Sequence, residues 1–262
     1  MLERALAGLI VAAIIAGLAR RAHSLSTAGA WTALAVGTAA VAAGWTWGAL
    51  LLVYFASAMM LSGSGAREKA ARTRSIIAKP GARDAMQVIA NGGVFAACAL
   101  VSQFAPPVGS TFSAAALGAL AASAADTWAT EVGTLHGGTP RALFGLRPVP
   151  PGTSGAVSIW GSIAMVAGAL FIAIAASLLS LSSLVVGITA AGIAGAMADS
   201  LLGATLQERR WCATCRDSTE MRLHDCGTRT SLVGGREWMD NDLVNLLATL
   251  TGAVVAAVLA TL

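Results

Sequence analysis

A chain of 262 residues that is 56% hydrophobic and only 11% charged is not an ordinary soluble domain, in which about a quarter of the residues carry charge. Its net charge of +4 is modest, so nucleic acid is not an expected partner, and the placement of the basic residues says more than their sum. Four cysteines, three of them clustered, point to a reduced compartment and to metal rather than to a disulfide framework.

Apolar stretches at 2–19, 25–43, 45–62, 86–104, 111–135, 157–179, 183–206 and 241–261 are each about long enough for a membrane-crossing helix of roughly 20 residues. They predict an all-α, polytopic membrane helix bundle of about eight spans, a single integral membrane domain over 1–262. The first stretch reads as a retained helix and not a signal peptide, because Glu3 sits early in it and no clear small-residue cleavage site follows. Sixteen of the 17 basic residues fall after the first, third, fifth and seventh stretches; only Arg4 lies on the other side. By the positive-inside rule, four basic loops face the cytosol and both termini lie on the non-cytosolic side, in the inner membrane if the cell is bacterial.

The acidic residues inside the spans carry the functional signal. Asp126 and Glu131 lie in the fifth stretch and Asp199 in the seventh, where a carboxylate costs roughly 2.5–3.5 kcal/mol on insertion scales. Asp126 and Asp199 sit in related Ala-Asp-Thr and Ala-Asp-Ser elements, a hint of duplicated hairpins. Asp84, Gln87 and Asn91 open the fourth span as one polar stripe, and Asp199, Gly203 and Gln207 form another on the seventh. Asn241, Asp242 and Asn245 open the eighth. Glu131, five residues from Asp126, points about 140° away from it on a helix. Together these residues predict one polar site that opens to the cytosol beneath basic loops.

Clustered carboxylates and amides suit Mg²⁺, a hard cation that keeps room for water and phosphate oxygens. Basic loops and Gly-rich turns suit phosphates, and three such turns occur: Gly63–Gly65, Asn91–Gly93 and Pro150–Gly155. The last lies just before the sixth span, so its amides could face an anion at that helix start. No Gly-x-x-x-x-Gly-Lys-Ser/Thr run is present, nor a Gly-x-Ser-x-Gly or His-Glu-x-x-His run, so neither a P-loop nor a hydrolytic triad has support. Gly187, Gly192 and Gly195 form a small-residue track suited to close helix packing. The basic run over 63–84 also suits contact with anionic lipid. In the loop 208–239, Cys212, Cys215, His224 and Cys226 offer four ligands within fifteen residues, the pattern of a closed structural zinc staple. Cys98 reads as a small packing residue.

Five ordered motifs carry a resemblance: Gln87–Gly93, Ala125–Gly133, Pro151–Gly155, Asp199–Gln207 and Asp240–Asn245. They resemble the transmembrane protein 19 family, which includes plant phytyl-phosphate kinase, over the chain from about residue 20 to its end. The cysteine–histidine loop departs from the eukaryotic members, which implies an accessory role for any zinc. The resemblance implies phosphoryl transfer from CTP, or another nucleoside triphosphate, to an isoprenyl monophosphate, yielding the diphosphate at the cytosolic membrane face. A lipid monophosphate, with a second pKa of about 6, is already a dianionic nucleophile, so positioning and charge neutralisation are the main tasks. On this reading Asp126, Asp199 and Asp242 are Mg²⁺ ligands, supported by Glu131, Asn91 and Asn245. Lys79, Arg83 and Arg141 are phosphate clamps, and Gly152, Thr153, Ser154 and Gly155 cradle the nucleotide. The alternative is a transporter or lipid flippase that uses the same intramembrane acids.

Overall fold

The computed structural model describes residues 2–79, 81–104 and 108–262. Part of the charge-free loop expected at 103–110, residues 105–107, lies outside the described residues. The architecture is mostly helical: α1 (Leu2–Arg21), α2 (Thr27–Ala43), α3 (Trp45–Gly63), α4 (Ala66–Thr73), α5 (Ala85–Val88), α6 (Val94–Phe104), α7 (Gly109–His136), α8 (Ile159–Leu178), α9 (Val185–Thr205) and α10 (Asn241–Leu259). Six units have the length and apolar composition to cross a membrane: α1, α3, the continuous α5–α6 unit, α8, α9 and α10. The apolar α2 is shorter, at 17 residues, and α7 runs for 28 residues with Asp126 and Glu131 in its second half.

Two small sheets depart from the all-α expectation. Strands β1 (Arg141–Ala142) and β2 (Ala156–Val157) close a hairpin. The loop 208–239 folds into a three-stranded antiparallel sheet in the order β4 (Asp217–Thr219), β3 (Arg209–Cys212), β5 (Ser231–Gly234). Such short elements lack the long apolar periodicity on which the sequence reading rests. A second departure is α4, where the cations Lys69 and Arg72 face the protein. Lys69 donates to the Leu61 and Ser62 carbonyls at 2.6 and 3.1 Å, and Arg72 donates to Thr134 and Leu135 at 2.8 and 2.9 Å. Cations at the carbonyl ends of α3 and α7 satisfy groups the helices leave free and oppose their dipoles. Lys69 and Arg72 therefore serve the fold, where the sequence suggested contact with anionic lipid.

The bundle centres on α7, whose residues Ala114–Ala125 are all buried. Lipid tails are as apolar as leucine, so helices in a membrane associate by close van der Waals packing, for which small residues are needed. A Cβ placed on Gly252 of α10 would stand 2.5 Å from the Gly118 carbonyl oxygen of α7. On Gly195 of α9 it would lie 2.7 Å from the Ala248 carbonyl, and on Gly168 of α8 2.7 Å from the Ala124 carbonyl. Gly192 meets Ala121 and Ala169 in the same way, whereas Gly187 has nothing nearer than Leu259 at 3.9 Å and is not a tight contact. The expected packing track therefore begins at Gly192.

Between α5 and α6 the helix widens into a π turn over Ile89–Gly93. A π turn frees backbone groups from the α ladder, and Thr249 of α10 donates to the Ala90 carbonyl there at 2.9 Å. The basic loops gather at one end of the bundle. Ser26 donates to the Arg83 carbonyl, Glu220 to Ile76 and Arg236 to Leu206, all through backbone amides.

The Gly118–Gly252 crossing makes a direct prediction. Gly252→Val should reduce the yield and thermal stability of detergent-solubilised protein by the overpacking cost of about 1–3 kcal/mol or more. Gly187→Ala, at the open end of the track, should leave the melting temperature within experimental scatter.

Candidate functional site

One cavity of about 350 Å³ opens at the basic end of the bundle. Its wall contains Lys79, Arg83, Gln87, Asn91, Asp126, Glu131, Asp199, Asp242 and Asn245, together with the turn Gly152–Gly155. Residues from α5, α7, α9 and α10 and from three loops thus meet where the sequence expected a single polar site.

The helices position these side chains by local means. Asp84 caps α5 in a reciprocal box with Gln87: its carboxylate accepts from the Gln87 amide at 3.0 Å, and the Gln87 side chain accepts from the Asp84 amide at 2.9 Å. One turn on, Asn91 donates to the Gln87 carbonyl at 2.8 Å and accepts from Ser123 of α7 at 2.9 Å. Ser123 in turn lies 2.7 Å from the Tyr54 hydroxyl of α3. The π turn thus fixes Asn91 at the cavity wall through a polar chain that ties three helices together. Asp240 caps α10 by accepting from Leu243 at 3.0 Å, and so starts the helix that carries Asp242 and Asn245.

The carboxyls of Asp126 on α7 and Asp199 on α9 are neighbours in the cavity wall. Asp199 Oδ2 and Asp242 Oδ1 are buried with no protein partner. Two neighbouring carboxyls and two orphaned carboxylate oxygens, with the amides of Asn91 and Asn245 on the same wall, form an all-oxygen donor set of the kind a hard divalent cation takes. The residues fit Mg²⁺.

Lys79 spans the mouth. Its ammonium donates to Asp84 at 2.9 Å and also pairs with Asp242, which is only 4% exposed. Burial opposes the charge on Lys79, but the hydrogen bonds and charges of Asp242 and Asp84 outweigh it and hold its pKa above the ordinary lysine value. The same partners act on Asp84: burial pushes its pKa up, and the Gln87 amide and Lys79 more than reverse the effect, leaving it below the usual carboxylate value. Arg83 donates to Ser62 at 3.1 Å.

Some expected residues stand apart. Glu131 reaches the wall, but on the far side of α7 from Asp126, where it pairs with Lys69 and accepts from Ser62. Arg141 does not line the cavity; its guanidinium folds back on its own hairpin and donates to the Leu146 carbonyl at 2.8 Å. The start of α8 is already capped, since Ser158 accepts from the Gly161 amide at 3.1 Å. The Gly152–Gly155 turn instead leans on α9: Gly155, at φ 69°, packs against Gly203 and Ala204, where any Cβ would overlap the backbone. Helix α9 ends at Thr205, so Gln207 continues the Asp199 stripe from the following loop and not from a further helical turn.

Glu220 is the main wall residue that sequence reasoning did not single out. It accepts from Ser154 and, at 2.9 Å, from Gln207, linking the roof loop to the glycine turn. Burial, aided by the charge of Glu208, raises its pKa to about 7 against the hydrogen bond from Ser154. The sequence does not mark it out, since Glu220 is one of five acidic residues set among six arginines in the loop 208–239.

In that loop the ligand atoms of Cys212, Cys215, His224 and Cys226 all lie within 4.8 Å of one another. His224 Nδ1 stands 3.3 Å from Cys226 Sγ and 3.5 Å from Cys215 Sγ, and the Cys212 and Cys226 sulfurs are 3.5 Å apart. These separations match the edges of a tetrahedron with zinc–ligand bonds of about 2.0–2.3 Å. The four residues fit a closed structural zinc site.

Glu220 gives a pH prediction. Its folded pKa of about 7 lies above the ordinary 4.5, so the folded state holds the proton more tightly than the unfolded chain does. Stability should therefore fall as pH rises from about 4.5 through about 7, by on the order of 3 kcal/mol. Thermal melts between pH 5 and 8 should show this slope, and Glu220→Gln should flatten it.

Comparison with known proteins gives a consistent picture. The chain matches the family described as Integral membrane protein DUF92 over residues 10–253. It is 29% identical to Protein PGR of Arabidopsis thaliana, over 94% of this chain and 93% of that protein. It is 30% identical to an uncharacterized membrane protein of Methanocaldococcus jannaschii, over 80% of this chain and 74% of the relative. A membrane protein of Synechocystis shows the same identity over 82% and 74%. No solved structure matches the chain.

Proposed function

The chain belongs to the DUF92 family of integral membrane proteins, and from that membership and its polar cavity we propose that it is a lipid-phosphate kinase. In this reading it moves the γ-phosphoryl group of CTP, or a related nucleoside triphosphate, to an isoprenyl monophosphate. The observation that carries the proposal is the convergence of three carboxylates from α7, α9 and α10 with Lys79 and Arg83 in one cavity. That cavity lies at the basic end of the bundle. We assign this end to the cytosol by its charge, with α2 and α7 crossing the membrane alongside the other six units and both termini on the far side.

An oxygen of the lipid phosphate forms a bond to the γ-phosphorus while the bond from that phosphorus to the β–γ bridging oxygen breaks. The products are CDP and the lipid diphosphate. The attacking phosphate needs no general base, because it is already dianionic near neutral pH. The barrier is the approach of two anions in line. Lys79 and Arg83 offset that repulsion from the cavity mouth, and the side-chain amides of Asn91 and Asn245 add supporting polar ligands on the same wall. The Gly152–Gly155 turn presents main chain to the nucleotide. Asp126, Asp199 and Asp242 would hold Mg²⁺, which when bound neutralises and aligns the nucleotide phosphates. Arg141 has no place among the clamps, since its guanidinium serves the hairpin. Kinase chemistry is favoured over transport because, among the described residues, α7 beyond the cavity continues as the buried, small-residue run Ala114–Ala125.

The zinc staple belongs to the same proposal in a structural role. Cys212, Cys215, His224 and Cys226 would hold the metal and fix the β3–β4 ribbon, which delivers Glu220 to the wall. Metal analysis of the purified chain should find about one zinc per molecule. Cys212→Ser with Cys215→Ser should lose that zinc and lower thermal stability.

Transfer is tested with purified protein, Mg²⁺, γ-labelled CTP or ATP and a panel of isoprenyl monophosphates. Label should appear in a lipid diphosphate, and Asp126→Asn or Asp199→Asn should each reduce the rate at least about 100-fold while the protein stays folded. Full activity in both folded variants would overturn the assignment.

A further inference from the structure

A second cavity of about 320 Å³ lies between α1, α2, α3 and the α5–α6 unit. Its wall is almost wholly apolar and rich in small residues, among them Ala12, Gly37 and Gly48. It shares three residues with the polar cavity: Arg83, Gln87 and Asn91. These are the polar groups at its head, and their side chains separate an oxygen-lined chamber from a hydrocarbon-lined groove.

We propose that this groove holds the hydrocarbon chain of the same phosphorylated lipid whose headgroup enters the polar cavity. The proposal rests on the kinase reading for the headgroup and adds the location and length of the tail. The two cavities adjoin at Arg83, Gln87 and Asn91, which line both, and a single-chain amphiphile with a terminal phosphate is the ligand whose polarity changes at that same point. Along α3 the wall runs from Ala58 beside the polar end to Trp45 at the far end. Thirteen helical rises span about 20 Å, or an extended chain on the order of 16 main-chain carbons at ordinary bond geometry. The groove therefore selects long single chains over short ones, and Trp45 marks the far limit.

The test uses the full chain in nanodiscs and a long-chain prenyl monophosphate with a photoreactive diazirine at its far end. Peptide mapping should place the label on α1–α3 near Trp45. Ala49→Trp, which fills the groove without touching the polar residues, should cut labelling at least about tenfold, while binding of a short-chain prenyl phosphate stays within about twofold. Ala33→Phe is the second variant, should Ala49→Trp fail to fold. Label on α7–α10, equal labelling in the filled variants, or equal labelling by the matching long-chain alcohol would each overturn the proposal. Label in the groove without phosphoryl transfer would uphold the groove and remove the kinase reading. Transfer with label elsewhere would do the reverse.

Discussion

Close approach of small-residue helices is the constraint on which the rest of this molecule depends. With no hydrophobic drive between helices in lipid, α7, α8, α9 and α10 are held by backbone-to-backbone contact at Gly118, Gly168, Gly195 and Gly252. That contact fixes the distance between α7 and α9, and so makes the Asp126 and Asp199 carboxyls neighbours. The buried run Ala114–Ala125 continues α7 beyond them. Bulkier side chains at these crossings would move the helices apart and dissolve the donor set without altering any of its residues.

The site's electrostatics follow from that rigidity. Carboxylates held this close inside a bundle must be compensated, and the protein supplies part of the compensation itself. Lys79 reaches across the mouth to Asp84 and Asp242, while Lys69 deals with Glu131 on the opposite side of α7. Asp199 Oδ2 and Asp242 Oδ1 are left without protein partners, and under the proposed function they are where the cation would attach. The roof is tied down separately: Glu220 joins Ser154 to Gln207, and its own amide donates to Ile76. The glycine turn, the ribbon and the segment before α5 are thereby locked into one lid.

The helical architecture and the convergence of Asp126, Asp199, Asp242, Asn91 and Asn245 were legible in the sequence. Hydropathy marks the segments, and polar residues within them are too costly to be incidental. The chain also announces the cysteine–histidine cluster, because the spacing of four soft ligands is local. What the sequence did not disclose depends on contacts between distant segments. Arg141 turns into its hairpin because the Leu146 carbonyl lies within reach there, and Lys69 and Arg72 turn inward because the ends of α3 and α7 need cations. Glu220 joins the site through a ribbon fold with no hydropathic signature. The π turn at Asn91 was visible only as a Gly-Gly pair, and its meaning depends on Thr249, more than 150 residues away.

The two halves of the bundle differ in their tolerance for change. The α7–α10 half closes on backbone contacts at Gly118, Gly195 and Gly252, whereas the α1–α3 side, though tight at its own glycine crossings, also encloses an apolar cavity of about 320 Å³. Under the proposed function, chemistry and chain selection reside in separate structural compartments. Substitutions along α1–α3 can retune which lipid is accepted while the phosphate-handling machinery stays intact. Relatives with one set of carboxylate motifs are thus free to diverge in substrate range, and an engineer seeking new lipid selectivity has a face of the molecule on which to work.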